Sequence, residues 1–378
     1  MIDMEIFAGG GGLALGVAES GFSHSCLVEW DKNSAKTLNA NIGKFRFSNS
    51  ASSVLNGDIH SFDFKNYEGK IDLLSGGPPC QPFSIGGKSQ AYNDKRDLFS
   101  EAARTLCETK PKAFIFENVR GLLRKNFSKY FGYIILQLTY PEIKKNENQN
   151  WLEHLAVLEM HHTGVSSEGL KYNVVYRLVN AADYGIPQKR ERVFIIGFRN
   201  DIDAFWSFPK ATHSEESLNY SKFVTGEYWI KHKIRAPKRD VRMSSFLFVP
   251  EEKPWQTVRD ALKDLPDPEK ENHVPNHILQ IGAKPYQGHT GSFLDEPSKT
   301  LKAGAHGVPG GENMMILDDG AVRYYTVREA ARIQTFPDDY VFPCSWTESM
   351  RQIGNAVPVQ LAKIVSSSVK SALLPFSG

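Results

Sequence analysis

The chain has 378 residues with 41% hydrophobic and 23% charged content, which is the composition of an ordinary globular protein long enough for two lobes. No apolar run approaches the roughly 18 residues that span a bilayer, and the start MIDMEIFAGGGG lacks a signal peptide pattern, so a cytoplasmic protein is expected. The cysteines and histidines show neither a CxxC pair nor metal-ligand spacing, which argues against a disulfide framework and a metal site.

The first 200 residues alternate strand-like and helix-like segments. Strands are predicted at 4–7, 24–30, 71–75, 113–119, 173–179 and 192–198, with one more short element ending at 57–59. Helices are predicted at 13–20, 32–41, 97–109 and 151–160. Alternation of this kind predicts an α/β sheet with helices on both faces.

Residues 200–320 differ in character, with many prolines, scattered aromatics and weak helical periodicity. They predict a separate, irregular lobe, mostly β or loop-rich, before helical signal returns at 326–335 and 359–372. The net charge of +2 says little about partners, but six basic residues cluster in KHKIRAPKRDVR at 231–242: Lys231, Lys233, Arg235, Lys238, Arg239 and Arg242. This cluster is either a solvated loop or a nucleic-acid contact.

A glycine-rich turn after the first strand indicates a nucleotide site. Its residues are Phe7, Ala8, Gly9, Gly11 and Gly12. Glu29 ends the second strand, where an acid can accept hydrogen bonds from ribose hydroxyls, and Trp30 beside it can stack on an adenine. Asp58 and Ile59, after the third short element, could contact the adenine edge. The pattern predicts an adenosine cofactor without separating a dinucleotide from S-adenosylmethionine.

Five further motifs follow FAGGGG in order. They are GGPPCQPFS at 76–84, FENV at 116–119, QKRER at 188–192, RYYTVREAARIQTFPDDY at 323–340 and QIGNAVPV at 352–359. Together they resemble the DNA cytosine-5 methyltransferases, over the first two hundred and the last sixty residues.

The resemblance implies the fold class: an α/β, Rossmann-like methyltransferase sheet that depends on S-adenosylmethionine, with a second, smaller, irregular target-recognition domain. The catalytic and cofactor-binding domain would comprise residues 1–200 and 350–378, the target-recognition domain 201–321, and a hinge 322–349. S-adenosylmethionine is the implied cofactor and S-adenosylhomocysteine the product.

The resemblance also implies residue roles. Cys80 would attack carbon 6 of a cytosine flipped out of the duplex, Glu117 would protonate ring nitrogen 3, and Arg192 would contact the base carbonyl. Pro79, Asn355 and Ala356 would join the cofactor residues. The implied DNA contacts are Gln81, Ser84, Lys88, Arg96, Arg190 and the six basic residues of 231–242, although Gln188 and Arg190 also suit a structural role.

The predicted activity is therefore sequence-specific cytosine-5 methylation of double-stranded DNA, by a monomer that modifies DNA in a restriction–modification system. A cognate restriction endonuclease is then an expected companion, without direct contact. Two alternatives stay open: a transfer-RNA cytosine-5 methyltransferase and an inactive DNA-binding module. The family usually has Asp where this chain has Glu5, and an insertion near 140–170 has no assigned purpose.

Overall fold

The computed structural model describes residues 1–49, 53–79, 98–164, 169–236, 249–287, 290–303 and 313–376. The first half of the chain contains β1 (Ile2–Ile6), α1 (Gly12–Glu19), β2 (Ser23–Glu29), α2 (Lys32–Ala40), β3 (Ser53–Asn56), β4 (Leu73–Gly76), α3 (Phe99–Thr109), β5 (Ala113–Val119), α4 (Ser128–Thr139), α5 (Trp151–Thr163), β6 (Tyr172–Asn180) and β7 (Glu191–Arg199). The predicted strands and helices of this half are confirmed, with boundaries shifted by up to three residues.

The second half is built from elements that are mostly shorter. They are β8 (His213–Ser214), α6 (Glu215–Phe223), α7 (Glu227–His232), β9 (Lys253–Pro254), α8 (Val258–Leu262), β10 (Ser292–Phe293), β11 (Met314–Ile316), β12 (Val322–Tyr324), α9 (Val327–Ile333), α10 (Trp346–Asn355) and α11 (Val359–Leu373). The lobe is loop-rich as expected, but among its described residues between 200 and 320 three short helices, rather than strands, supply most of the regular structure.

Seven strands of the described residues form one mixed sheet in the order β3-β2-β1-β4-β5-β7-β6. The pairs β1–β2, β1–β4, β2–β3 and β4–β5 are parallel, so these five strands end at a common edge. The strand β7 runs antiparallel to β5 and brings Arg192 opposite Val119. The chain order reverses beside β1, and α/β sheets bind ligands outside the carboxyl ends of strands at such a point.

The core explains one helix that the sequence pattern did not predict. Helix α4 reads SKYFGYIILQLT, and Tyr130, Tyr133, Ile134 and Leu138 are buried in the main core cluster. A helix with apolar residues around most of its surface has little amphipathic signal, and its aromatic and β-branched residues are weak helix formers. By contrast, α5 starts with a capping box between Asn150 and Glu153, and was predicted correctly.

The chain divides into two compact units. The first comprises Met1–Val179, Glu191–Phe208 and Ala362–Gly378, and the second comprises Asn180–Arg190 and Pro209–Leu361. The first unit holds the seven-stranded sheet. The second holds a cluster of Ala182, Leu218, Tyr228, Trp229 and Trp255. The functional division into catalytic, target-recognition and hinge segments stays a prediction.

Candidate active site

Two predicted catalytic residues of the first unit form a buried ion pair. Arg192 Nε lies 2.8 Å from Glu117 Oε1, and the two side chains are only 12% and 9% exposed. The antiparallel pairing of β5 and β7 brings them together, because the end of β5 lies beside the start of β7. Burial lowers the pKa of Arg192, and the nearby Glu117 carboxylate partly offsets this effect. The pair therefore places two opposite charges in a dry position at the carboxyl edge of the sheet.

The backbone segment that leads to Cys80 is hydrogen-bonded to β5, the strand that contains Glu117. Asn118 Nδ2, buried next to Glu117, donates a hydrogen bond of 2.9 Å to the Pro78 carbonyl. The two residues that flank 80–97 are also joined, since Leu98 N donates to Pro79 O at 3.4 Å. Sequence analysis did not single out Asn118, although a polar residue beside Glu117 in a buried strand was a usable signal. The backbone at Pro78 is therefore hydrogen-bonded to the residue next to Glu117.

Close packing of β1 against β4 requires Gly76 at the end of β4. A Cβ atom built at this position would lie 2.5 Å from the backbone oxygen of Ile6. The next residue differs, because a Cβ at Gly77 would meet its nearest neighbour, Glu117 Oε2, at an ordinary 3.6 Å. The first glycine of GGPPC thus allows close packing within the sheet, while the second faces the carboxylate of Glu117.

The predicted cofactor turn has an unusual backbone. Phe7, Gly9 and Gly11 have φ values of 58°, 55° and 85°, in the left-handed region. Such a conformation is costly for Phe7, and residues held this way cluster at functional sites. The backbone amide of Ala8 donates to Val28 O at 3.0 Å, so the turn is tied to β2. The turn leads directly into α1, which begins at Gly12.

Glu29 braces this turn. Its Oε2 accepts a 2.6 Å hydrogen bond from Gly9 N, and its Oε1 accepts one of 2.7 Å from Asp31 N. A carboxylate oxygen can accept more than one hydrogen bond, so the predicted contact with ribose hydroxyls is compatible with these bonds. Trp30 beside it is 77% exposed, which leaves its ring face open for stacking.

Asp58 and Ile59 lie after β3, at the same edge as Glu29. Asp58 is exposed and contacts His60 Nδ1 at 2.6 Å, and this hydrogen bond lowers the pKa of Asp58. Asp58 also accepts from the His60 backbone amide at 3.0 Å, while Ile59 is buried. Both residues are therefore built into a short 3₁₀ turn, and their contact with an adenine stays a prediction.

A buried polar network beneath the turn was missed by sequence analysis. Asp3 Oδ2 lies 2.8 Å from His24 Nδ1 and accepts from Ser75 Oγ at 3.1 Å. Ser75 Oγ is also 3.4 Å from Glu5 Oε2, and Glu5 accepts a backbone hydrogen bond from Ala14 in the first turn of α1. Burial raises the pKa of both Asp3 and Glu5. Two acids at a period of two in a buried strand were the available signal.

In the second unit, the structure corrects the DNA assignment of Arg190. This side chain is fully buried, and its guanidinium donates to the carbonyls of Leu301 (3.1 Å), Gly354 (2.8 Å) and Ala356 (2.9 Å). A guanidinium held by three carbonyl oxygens cannot reach a phosphate, so Arg190 has the structural role. Asn355 ends α10 in the same unit, and its role at a cofactor stays a prediction.

Part of the predicted DNA surface can be located. Lys231, Lys233 and Arg235 are exposed, and Lys231 Nζ lies 2.5 Å from Asp260 Oδ1. The other predicted positions lie outside the described residues: Cys80, Gln81, Ser84, Lys88, Arg96, Lys238, Arg239 and Arg242.

Within the described ranges, no helix is both long and apolar enough to cross a membrane. In the same ranges, no three or more His, Cys, Asp and Glu side chains converge as a metal site would require.

Comparison with known proteins agrees with the resemblance to the DNA cytosine-5 methyltransferases. The family model described as C-5 cytosine-specific DNA methylase matches residues 1–140 and 156–371. The chain is similar to the Type II methyltransferase M.PspPI of Psychrobacter, at 33% identity over 97% of this chain and 78% of the relative. It is similar to M.Eco47II of Escherichia coli at 32% identity, with the same coverage. The fold resembles that of the S. pombe Dnmt2 methyltransferase, with a TM-score of 0.56, 17% identity and full coverage of both chains.

Proposed function

The chain belongs to the C-5 cytosine-specific DNA methylase family, and from this premise we propose that it methylates carbon 5 of a cytosine flipped out of duplex DNA, through a covalent adduct with Cys80. The buried Glu117–Arg192 pair carries the proposal, because it stands beside the backbone segment that leads into Cys80. A carboxyl group and a guanidinium there can hold the two polar atoms on one edge of a cytosine.

The chemistry follows from the weak reactivity of carbon 5. The Cys80 thiolate adds to carbon 6, and the electron pair of the carbon 5–carbon 6 double bond moves toward ring nitrogen 3. Glu117 holds the proton at that nitrogen, and Arg192 fixes the carboxyl group and the neighbouring carbonyl oxygen. The bonds from Asn118 to Pro78 and from Leu98 to Pro79 keep both ends of the Cys80 segment beside this pair.

S-adenosylmethionine, when bound, supplies an electrophilic methyl group. The described residues suit an adenosine-bearing molecule, since an exposed Trp30 ring adjoins the Glu29 carboxylate at the carboxyl edge of the sheet. The other residues of the proposed cofactor site are the turn from Phe7 to Gly12 and the residues Asp58, Ile59, Pro79, Asn355 and Ala356. Glu29 and the turn hold one another in place before any ligand binds.

The biological setting is also a proposal. The similar curated proteins are named Type II methyltransferases, which supports a modification enzyme of a restriction–modification system acting on cytoplasmic DNA. The target-recognition role of 201–321, with Lys231, Lys233, Arg235, Lys238, Arg239 and Arg242 on phosphates, belongs to the same proposal. One flipped base requires one protomer, so we propose a monomer.

The decisive experiment traps the adduct. The protein is incubated with S-adenosylmethionine and duplex DNA containing 5-fluorocytosine, and the products are separated on a denaturing gel. Fluorine at carbon 5 cannot leave as a proton does, so Cys80 should stay attached to the DNA. The shifted band should vanish in Cys80→Ser and persist in Cys107→Ser, which changes another free thiol of the first unit. A band that survives Cys80→Ser would refute the assignment, and labelling of transfer RNA alone would favour an RNA substrate.

A further inference from the structure

The segment that follows β5, the strand that contains Glu117, carries a group of positive charges with no assigned role. Arg124, Lys125 and Lys129, here called the basic shoulder, are exposed. From Val119 to Pro141 the sequence contains no Asp or Glu. The shoulder thus forms a local patch of one sign on a chain whose net charge is only +2.

The backbone of the shoulder is fixed. Two consecutive 3₁₀ turns, Arg120–Leu123 and Lys125–Phe127, lead into α4. Their backbone bonds include Phe127 N to Arg124 O at 2.8 Å. Leu122 and Phe127 are buried and anchor the two turns in the core. The three cations therefore project from an ordered surface, so little backbone order must be created when a ligand binds.

A fourth cation of the same segment, Arg120, differs because it has an ion-pair partner. Arg120 is neutralised by Glu191, at 2.5 Å. For Arg124, Lys125 and Lys129, no carboxylate of the described residues lies within ion-pair distance. Solvated lysines without partners are common on protein surfaces, so exposure alone does not indicate a ligand. The location of the basic shoulder in the fold must therefore distinguish it from an ordinary basic surface.

The position is next to the proposed reaction. Arg124 lies seven residues after Glu117, so the chain limits their separation to about 25 Å, and the 3₁₀ turns shorten the path further. Glu117 lies near the carboxyl end of β5, where the base would bind, and Arg124 follows that end. Duplex DNA carries about one negative charge per 1.7 Å of its axis, so a duplex with its base at Glu117 brings many phosphates within that range.

We propose that Arg124, Lys125 and Lys129 bind backbone phosphates of the DNA flanking the flipped cytosine. This inference rests on the proposed function and adds to it a contact surface on the catalytic unit itself. Phosphate contacts position the duplex but carry no base information. The shoulder therefore contributes affinity and register, while target choice lies elsewhere.

The test compares two triple variants that each remove three positive charges. In the first, Arg124, Lys125 and Lys129 become Gln. In the control, the exposed residues Lys65, Lys70 and Lys144 become Gln, and Lys65 and Lys70 precede β4 at the opposite edge of the sheet. Binding of a random-sequence 25-base-pair duplex is measured from 50 to 300 mM NaCl. Methylation of genomic DNA is mapped by bisulfite sequencing.

Each lost phosphate contact should reduce the slope of log K against log salt by about 0.9, so the shoulder variant should lose about 2.7 and Lys125→Gln alone about 0.9. The methylated sequence should stay the same. If the shoulder variant, the control and the wild type had equal slopes while the wild type methylated DNA, the inference would be overturned and the proposed function upheld. Absence of methylation by the wild type would instead remove the proposed function, and this inference with it.

Discussion

Arg192→Met is the sharpest test of the buried pair. The guanidinium Nε lies 2.8 Å from Glu117 Oε1, and both side chains are about nine-tenths removed from water. Loss of the arginine charge leaves the carboxylate in a dry position without its counter-charge. Breaking a buried pair in this way typically costs about 3–5 kcal/mol, because the remaining charge pays its desolvation without attraction. We expect a decrease of that size in the free energy of unfolding.

The double variant Glu117→Gln/Arg192→Met separates charge from packing. Removal of both charges eliminates the unpaired carboxylate, so this variant should be more stable than Arg192→Met by about 2 kcal/mol or more. Urea denaturation followed by circular dichroism gives the free energies. Because the chain has two units, hydrogen exchange of the β5 and β7 amides is measured as well, to assign the loss to the seven-stranded sheet.

Arg120→Met is the matched control. Arg120 also pairs with a glutamate in the first unit, at 2.5 Å from Glu191, but its side chain is 67% exposed. An exposed pair contributes at most about 1 kcal/mol, so this variant should be nearly neutral. If Arg192→Met cost no more than Arg120→Met, the Glu117–Arg192 pair would be solvated in solution and the argument from burial would fail.

Three further predictions concern the same unit. Gly76→Ala should destabilise the protein by about 1–3 kcal/mol, because the added Cβ would lie 2.5 Å from Ile6 O. Gly132→Ala, in α4, should stabilise it by up to about 1 kcal/mol, because nothing lies within 4 Å of the added Cβ. Thermal unfolding measures both changes, and stability changes of the same sign would contradict the packing argument. Burial raises the pKa of Glu5 well above 4.5, so its protonated form favours the fold, and this stability is present at low pH and lost as pH rises through the folded pKa. Glu5→Gln should therefore gain stability relative to wild type as pH rises above about 4.5, and parallel urea stability curves would refute this. Burial also raises the pKa of Cys26 from 9.0 to about 12, so iodoacetamide at pH 8 should label it about a thousandfold more slowly than an ordinary thiol; labelling of the native protein at the ordinary rate, followed by mass spectrometry, would contradict its burial.

Several features were predictable because they depend on local sequence. The apolar segments of the first half, with glycine after α1 and a strand ending at Glu29, predict the alternating sheet without reference to distant residues. The glycine turn and the motif order predicted the family. Helix α4 was missed because it is buried around most of its surface and has no single-sided pattern. Helices α6, α7, α8 and α10 were not predicted either.

The sequence by itself determined the chemical groups: a cysteine framed by prolines, a glutamate and an arginine in recognisable motifs, and a glycine turn before a helix. Only the tertiary structure decided which groups meet. Seventy-five residues separate Glu117 from Arg192, and the antiparallel pairing of β5 with β7 brings them into contact. Arg190 lies two residues from Arg192, yet burial against three carbonyl oxygens assigns it to structure rather than to DNA. Side-chain chemistry is written in each residue, but burial and partners are set by long-range packing, which local sequence does not encode.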